Sequence, residues 1–140
     1  MTDPVPLREG LFRETAAGPT LLASRCTACG HTSYPPALRC LDCGREETQE
    51  TIELGSDGAL LCATVVHMGN DRYPPGYTVG YVTMPHGVRV FAQLAIAAGE
   101  DVPAPGTPMT LEIVPMWRKQ EQDVLAYRFV PSLERECPHA

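Results

Sequence analysis

With 140 residues, 44% of them apolar and 20% charged, the chain is long enough for one small folded domain, or two very small ones sharing an interface, and too apolar to be a disordered segment. Its net charge of −6 is divided evenly, with five Arg against eight acidic residues up to Leu54 and six Lys/Arg against nine beyond it. There is no basic tail or stripe, which excludes the electrostatic footprint of a nucleic-acid binder, and the longest near-apolar run, "GALLCATVVHMG", is too short to span a bilayer.

The first segment, "MTDPVPLREGLFRETAAG", carries early Pro and acidic residues and no apolar core, so it does not read as a secretory signal. The expected location is cytoplasmic, where thiols stay reduced and paired cysteines serve metals or redox chemistry. From about Leu7 to Ala17 the spacing of Leu7, Leu11 and Phe12 predicts a short N-terminal helix, ended by Gly18-Pro19. "TLLASR" then predicts a strand leading into "RCTACGHTSYPPALRCLDCG", residues 25–44, and "TQETIEL" predicts a polar strand after it.

From Gly58 onward five runs predict strands: "GALLCATVVH", "GYTVGYVTM", "GVRVFAQLAI", "PMTLEIVPM" and "VLAYRFV". Turn-forming stretches bound each run, and Val88, Val90, Ala92 and Leu94 alternate with Arg89, Phe91 and Gln93 as in a strand with one buried face. Five short strands in so few residues suit a closed barrel, which leaves no exposed edge. The chain therefore reads as mainly β, in three parts. Residues 1–54 hold the N-terminal helix and a cysteine-bearing module, 55–131 a five-stranded barrel, and 132–140 a tail.

Cys26/Cys29 and Cys40/Cys43 each enclose two residues, and each pair is followed by Gly, at Gly30 and Gly44. Such knuckles turn tightly enough to aim backbone amides at the thiolates, and Gly tolerates the left-handed conformation this requires. Four thiolates make a closed tetrahedral site with no position left for water, so the expected metal, zinc, with iron as the runner-up, has a structural role. Cys62, inside the first barrel strand, is expected to be a small buried apolar residue, and Cys137, beside His139, a free tail thiol. No Ser/His/Asp set, phosphate-cradling Gly loop or H-E-x-x-H occurs; His31 and His86 read as exposed loop residues, and His67, ending a strand beside a long loop, as a site candidate.

"LFRETAAGPTLLASRCTACGHTSYPPALRCLDCG", "GALLCATVV", "YTVGYVTMPHGVRVFAQL" and "YRFVPS", roughly residues 11–132, resemble the DUF35 family of small proteins with a rubredoxin-like zinc ribbon followed by an OB-fold barrel. One departure stands out: the family usually carries Arg directly after the double Pro, where this chain has Ala37, with Arg39 two residues later. The resemblance implies a non-catalytic accessory subunit of a thiolase or acyltransferase complex. Its role would be to aid acyl-CoA binding and subunit assembly, in a hetero-oligomer with a thiolase-like catalytic subunit. The alternatives are partnership with a MaoC-like enoyl-CoA hydratase and a nucleic-acid-binding ribbon-and-barrel protein, the latter opposed by the acidic charge and the single Lys. No nucleic-acid or membrane partner is expected.

Two surface hypotheses follow. Tyr34, Pro35 and Pro36 offer a rigid apolar surface on which a partner could dock, unless Tyr34 merely covers the metal site. In OB barrels the loops joining strands 1–2 and 4–5 lie near the binding face. Here these are residues 67–77 and about 117–123, which hold Arg72, Tyr73, Trp117, Arg118 and Lys119, including the only Trp and the only Lys. Aromatic faces can stack on adenine and Arg can grip phosphates, so these residues are candidates for the nucleotide end of CoA. The plainer alternative is that turns collect charge and Trp117 packs on the barrel mouth.

Overall fold

The computed structural model describes residues 4–8, 10–70 and 73–132. Among these residues ten strands form two sheets: β1 (Val5–Pro6), β2 (Phe12–Thr15), β3 (Gly18–Cys26), β4 (Thr32–Ser33), β5 (Gln49–Gly55), β6 (Asp57–Val66), β7 (Tyr77–Thr83), β8 (Arg89–Leu94), β9 (Pro108–Lys119) and β10 (Gln122–Pro131). The only helical turn among the described residues is a 3₁₀ turn at Pro85–Gly87.

The N-terminal helix is not formed. Phe12–Thr15 pairs antiparallel with β3, in register Phe12↔Leu21 to Thr15↔Gly18. The pairing gives these backbone groups partners, and it buries Leu11, which the helical reading had counted as part of an apolar face. β3 is the centre of this sheet. It pairs with β2, β4 and β5, and its residues 20 to 24 are buried in succession, as in a strand covered on both faces.

The five runs after Gly58 form β6 to β10 and close into a barrel. β7 joins β6 to β8, β9 joins β6 to β10, and Phe129 of β10 pairs parallel with Leu94 of β8 to complete the ring. The alternation read from sequence sets the faces: Val90, Ala92 and Leu94 point inward, as do Thr78 and Val82 of β7 and Met109 and Leu111 of β9. Gly80 lies among them because a Cβ there would stand 2.5 Å from the Cys62 carbonyl oxygen on the neighbouring strand.

Cys62 departs from expectation. The β6–β7 register shifts between Leu60 and Cys62, and this bulge turns both Leu61 and Cys62 outward. Cys137 and His139 lie outside the described residues. One apolar cluster runs through both sheets, joining Leu21, Ala23 and Leu54 of the cysteine module to Leu60, Val82, Leu94 and Phe129 of the barrel. Among the described residues, no helix is long and apolar enough to cross a membrane.

Candidate metal centre and barrel groove

The two knuckles repeat one backbone design. Gly30 N–H donates to Cys26 O at 2.8 Å and Cys26 N–H to His31 O at 2.9 Å; Gly44 N–H donates to Cys40 O at 3.1 Å and Cys40 N–H to Arg45 O at 3.0 Å. Both glycines take left-handed φ, 82° and 79°, the conformation the turn demands. Each knuckle also aims amides at its first sulfur, the Asp42 and Cys43 N–H groups both standing 3.4 Å from Cys40 Sγ.

The four sulfurs lie within 4.8 Å of one another, with Cys26 and Cys43 Sγ 3.8 Å apart and Cys29 and Cys40 Sγ 3.5 Å apart. A tetrahedron with metal–sulfur bonds of about 2.3 Å has edges of about 3.8 Å, so the donor set fits one zinc. Cys26 and Cys40 are buried and Cys29 and Cys43 exposed, so the site sits at the surface with its inner half enclosed. All four positions are protein thiolates, and a metal held this way has no place for substrate.

Electrostatics within the cluster favour a cation. The Thr48 hydroxyl, 3.2 Å from Cys26 Sγ, and the Cys29 amide hold the Cys26 thiol down to about 6. Cys40 is likewise lowered, chiefly by the Cys43 amide. For Cys29 the His31 amide pulls downward, but the adjoining Cys40 sulfur, loss of solvent and the other two sulfurs outweigh it and push the thiol up to about 12. Four sulfurs this close cannot all ionise without a metal among them. Thr48 was missed in the sequence; a hydroxyl five residues past the second pair has no motif, and only the β3–β5 pairing brings it to Cys26.

A pH dependence follows. At neutral pH the metal-free Cys29 holds a proton that zinc must displace, so zinc addition should release about one proton or more per metal, measurable with a pH indicator. Because thiolates bind the metal and protons compete for them, zinc affinity should strengthen towards alkaline pH and weaken as pH falls, Cys29 and then Cys26 taking up protons in place of the metal. Zinc uptake without proton release, or retention that weakens as pH rises, would contradict the four-thiolate assignment.

The loop between the knuckles has two faces. Tyr34 turns inward: its ring meets Tyr127 edge-on with centroids 5.9 Å apart, and its hydroxyl is buried beside that of Tyr127 without a well-formed hydrogen bond. Desolvation raises its pKa far above the usual phenol range, so it stays neutral. Pro35 is exposed and Pro36 half-buried, while Leu38 and Leu41, which the sequence reading passed over, are 93% and 73% exposed. Ala37 donates its backbone N–H to Ser24 Oγ at 2.9 Å. Arg39 donates to the Gly44 carbonyl at 2.8 Å and pairs with Glu46, bracing the second knuckle.

At the barrel, the structure brings Tyr73 and Trp117 together and leaves Arg118 and Lys119 outside their groove. Both line a groove of 360 Å³ on the outer face of β7 and β8, together with Tyr77, Phe91 and Tyr127. Trp117, Arg118 and Lys119 were expected in a loop but belong to β9, which continues past Pro115 to Lys119. A bulge on β9 opposite Val124 and Leu125 absorbs the missing amide of Pro115, and the turn is only Gln120 and Glu121, both with positive φ. Arg118 sits outside the groove, donating to Glu121 O at 2.9 Å and standing 3.5 Å from Asp123. Lys119 is exposed beyond it, Arg72 lies outside the described residues, and His67 is exposed at the end of β6.

Fold and site together define a zinc-ribbon protein with a five-stranded β-barrel. Residues 15–49 match the family model described as ChsH2, rubredoxin-like zinc ribbon domain. The chain is 33% identical over 81 residues to benzoylsuccinyl-CoA thiolase subunit BbsA of Thauera aromatica, covering 58% of this chain and 56% of that one. It is 22% identical over 111 residues to a DUF35 domain-containing scaffold protein of Methanothermobacter thermautotrophicus, covering 78% and 83%. The alignment thus spans little more than half of the thiolase subunit's length. A solved structure titled Ltp2-ChsH2(DUF35) aldolase shares the fold, with a TM-score of 0.65 at 24% identity, covering 81% of this chain and 85% of that one. The chain is thus similar to a ChsH2-type rubredoxin-like zinc ribbon over residues 15–49 and shares its fold with a DUF35 protein.

Proposed function

We propose that this chain is a non-catalytic accessory subunit of a thiolase-like complex acting on CoA thioesters, in a hetero-oligomer whose partner supplies the nucleophile. The observation that carries this reading is the metal cluster. Its ligand set is complete in protein thiolates, so it can only hold structure, and the structure it holds presents Leu38 and Leu41 to solvent beside Pro35. The thiolase-subunit names of the relatives from Thauera aromatica and Geobacter metallireducens, the latter 32% identical over 76 residues, support the same reading.

Partner docking falls to the exposed Pro35, Leu38 and Leu41, with Tyr34 and Pro36 fixing the loop from beneath. For acyl-CoA, the tip of the β9–β10 hairpin offers Arg118 and Lys119 to the phosphates. The Arg118–Asp123 pair is an exposed one, and such pairs are weak enough for a phosphate to displace. A reducing cytoplasm would keep the ligand thiols available to zinc.

The test is turnover. The rigorously purified chain, zinc-loaded, is expected to show no thiolytic cleavage of 3-oxoacyl-CoA, and addition of its thiolase-like partner should bring activity that the partner alone lacks or shows weakly. Turnover by this chain alone, or a partner whose activity does not depend on it, would overturn the reading.

A further inference from the structure

The groove on the outer face of β7 and β8 has a chemistry different from the nucleotide site expected of its neighbourhood. Its walls are the rings of Tyr73, Tyr77, Phe91, Trp117 and Tyr127, and among the described residues no acidic or basic side chain lines it. Tyr127 donates its hydroxyl to the Phe91 carbonyl at 3.3 Å, which leaves its ring to form the wall. Tyr73 and Tyr77 meet at 5.3 Å between centroids and 40° between planes, closing one end. Besides the tyrosine hydroxyls and the Trp117 N–H, the lining carries the side chain of Gln93, an amide able to donate to a carbonyl.

We propose that this groove binds the uncharged acyl end of a thioester, with a compact aromatic or cyclic group between the rings and the Gln93 amide meeting its carbonyl. This deepens the accessory-subunit reading and rests on it for the source of the thioester. Three observations carry it. The volume of 360 Å³ lies within the range of small-molecule sites, about 300–1,000 Å³, and leaves room for one compact group but not for a whole CoA. The walls offer π-faces, which favour a planar apolar occupant through offset and edge contacts. The phosphates of CoA would find no cation among the described residues that line the groove, while Trp117 passes directly into Arg118 and Lys119 on the same strand. A thioester with its acyl group seated between the rings would therefore lead its anionic end out towards the hairpin.

Trp117 is the only tryptophan in the chain, so intrinsic fluorescence reports the groove directly. The zinc-loaded chain is titrated with S-phenylacetyl pantetheine, with S-acetyl pantetheine, and with CoA. The expected result is a saturable change with the phenylacetyl probe alone, at a dissociation constant of about 1 mM or tighter. Phe91→Asp, at a half-exposed position, should weaken binding by about tenfold or more by placing a carboxylate among the rings, while Phe91→Leu should stay within about threefold. Zinc content and thermal midpoint of each variant establish that it is folded. No saturable change with the phenylacetyl probe overturns the proposal, as does an equal response to CoA, which would return the site to the nucleotide end. Unchanged affinity in folded Phe91→Asp would also overturn it. So would a Phe91→Asp chain that has lost partner assembly while no probe binds the wild type, which would make the groove a partner-docking surface. Because the titration uses the isolated chain, its failure leaves the accessory reading standing, and a chain that binds the probe but has no thiolase-like partner overturns that reading alone.

Discussion

Cys40→Ser is expected to abolish zinc binding and unfold the cysteine module. Zinc in a four-thiolate ribbon contributes about 10–16 kcal/mol of gross binding free energy at neutral pH, as much as the whole net stability of a typical domain. A serine hydroxyl keeps its proton at neutral pH, and Cys40 is only 3% exposed, so the replacement puts a neutral oxygen where a buried thiolate accepted the Asp42 and Cys43 amides. Elemental analysis should fall from about one zinc per chain to nearly none. Amide protection should vanish across β3 to β5, and the barrel should loosen but persist, because Leu21, Ala23 and Leu54 leave its core when the module melts. Stoichiometric zinc in a folded Cys40→Ser chain would refute the assignment. A coloured wild-type protein with stoichiometric iron would refute the identity of the metal.

Phe129→Ala should be the most damaging single truncation in the barrel. The ring is fully buried, pairs across the closing parallel step with Leu94 and across β9 with Leu111, and lies in the cluster that joins both sheets. Truncations of this kind cost about 3–5 kcal/mol, from lost transfer free energy and the cavity left behind. In a chain of this size that corresponds to a midpoint lower by roughly 10–20 °C in thermal unfolding. Phe91→Ala, on the outer face and 54% exposed, is the matched control and should cost about 1 kcal/mol or less. Equal losses at the two positions would mean that the assignment of inner and outer faces is wrong.

The contrast between those two phenylalanines also marks how far the sequence could be read. The ribbon was legible because its chemistry is local: two C-x-x-C pairs, each closed by Gly, need nothing from the rest of the chain to be recognised. The barrel strands were legible where one face is apolar and the other polar, as in Arg89–Leu94. Phe12–Thr15 was misread because an i, i+4, i+5 spacing over three apolar residues is weak, and what decided its conformation was the long-range partner β3. Cys62 was misplaced by a bulge, which shifts facing by one residue and leaves no mark in the alternation. The β9–β10 turn lacks the Asn-Gly or Asp-Gly that usually signals a two-residue hairpin, and Pro115 resembled a strand end, so Trp117–Lys119 was assigned to a loop.

The groove was hidden for a different reason. Its lining comes from six separated stretches, and no spacing rule links Tyr73 to Tyr127. A signal was nevertheless present in "YTVGYV": Tyr77, Val79 and Tyr81 put apolar side chains on the face that Thr78, Gly80 and Val82 do not use, so β7 is apolar on both sides. A strand of that kind either lies between two packed layers or faces a ligand or partner. Arg39 likewise became intelligible only in three dimensions, where it braces the second knuckle through the Gly44 carbonyl and Glu46.

The central claim is that this metal-stapled chain works as a subunit and not alone. Its most direct test is purification of the chain at native abundance from its own host, followed by native mass spectrometry and identification of whatever co-elutes. The account predicts a hetero-oligomer containing zinc and a thiolase-like protein with an active-site cysteine, present in fixed ratio to this chain. Recovery of the chain by itself, or in a stable complex with nucleic acid, would contradict it.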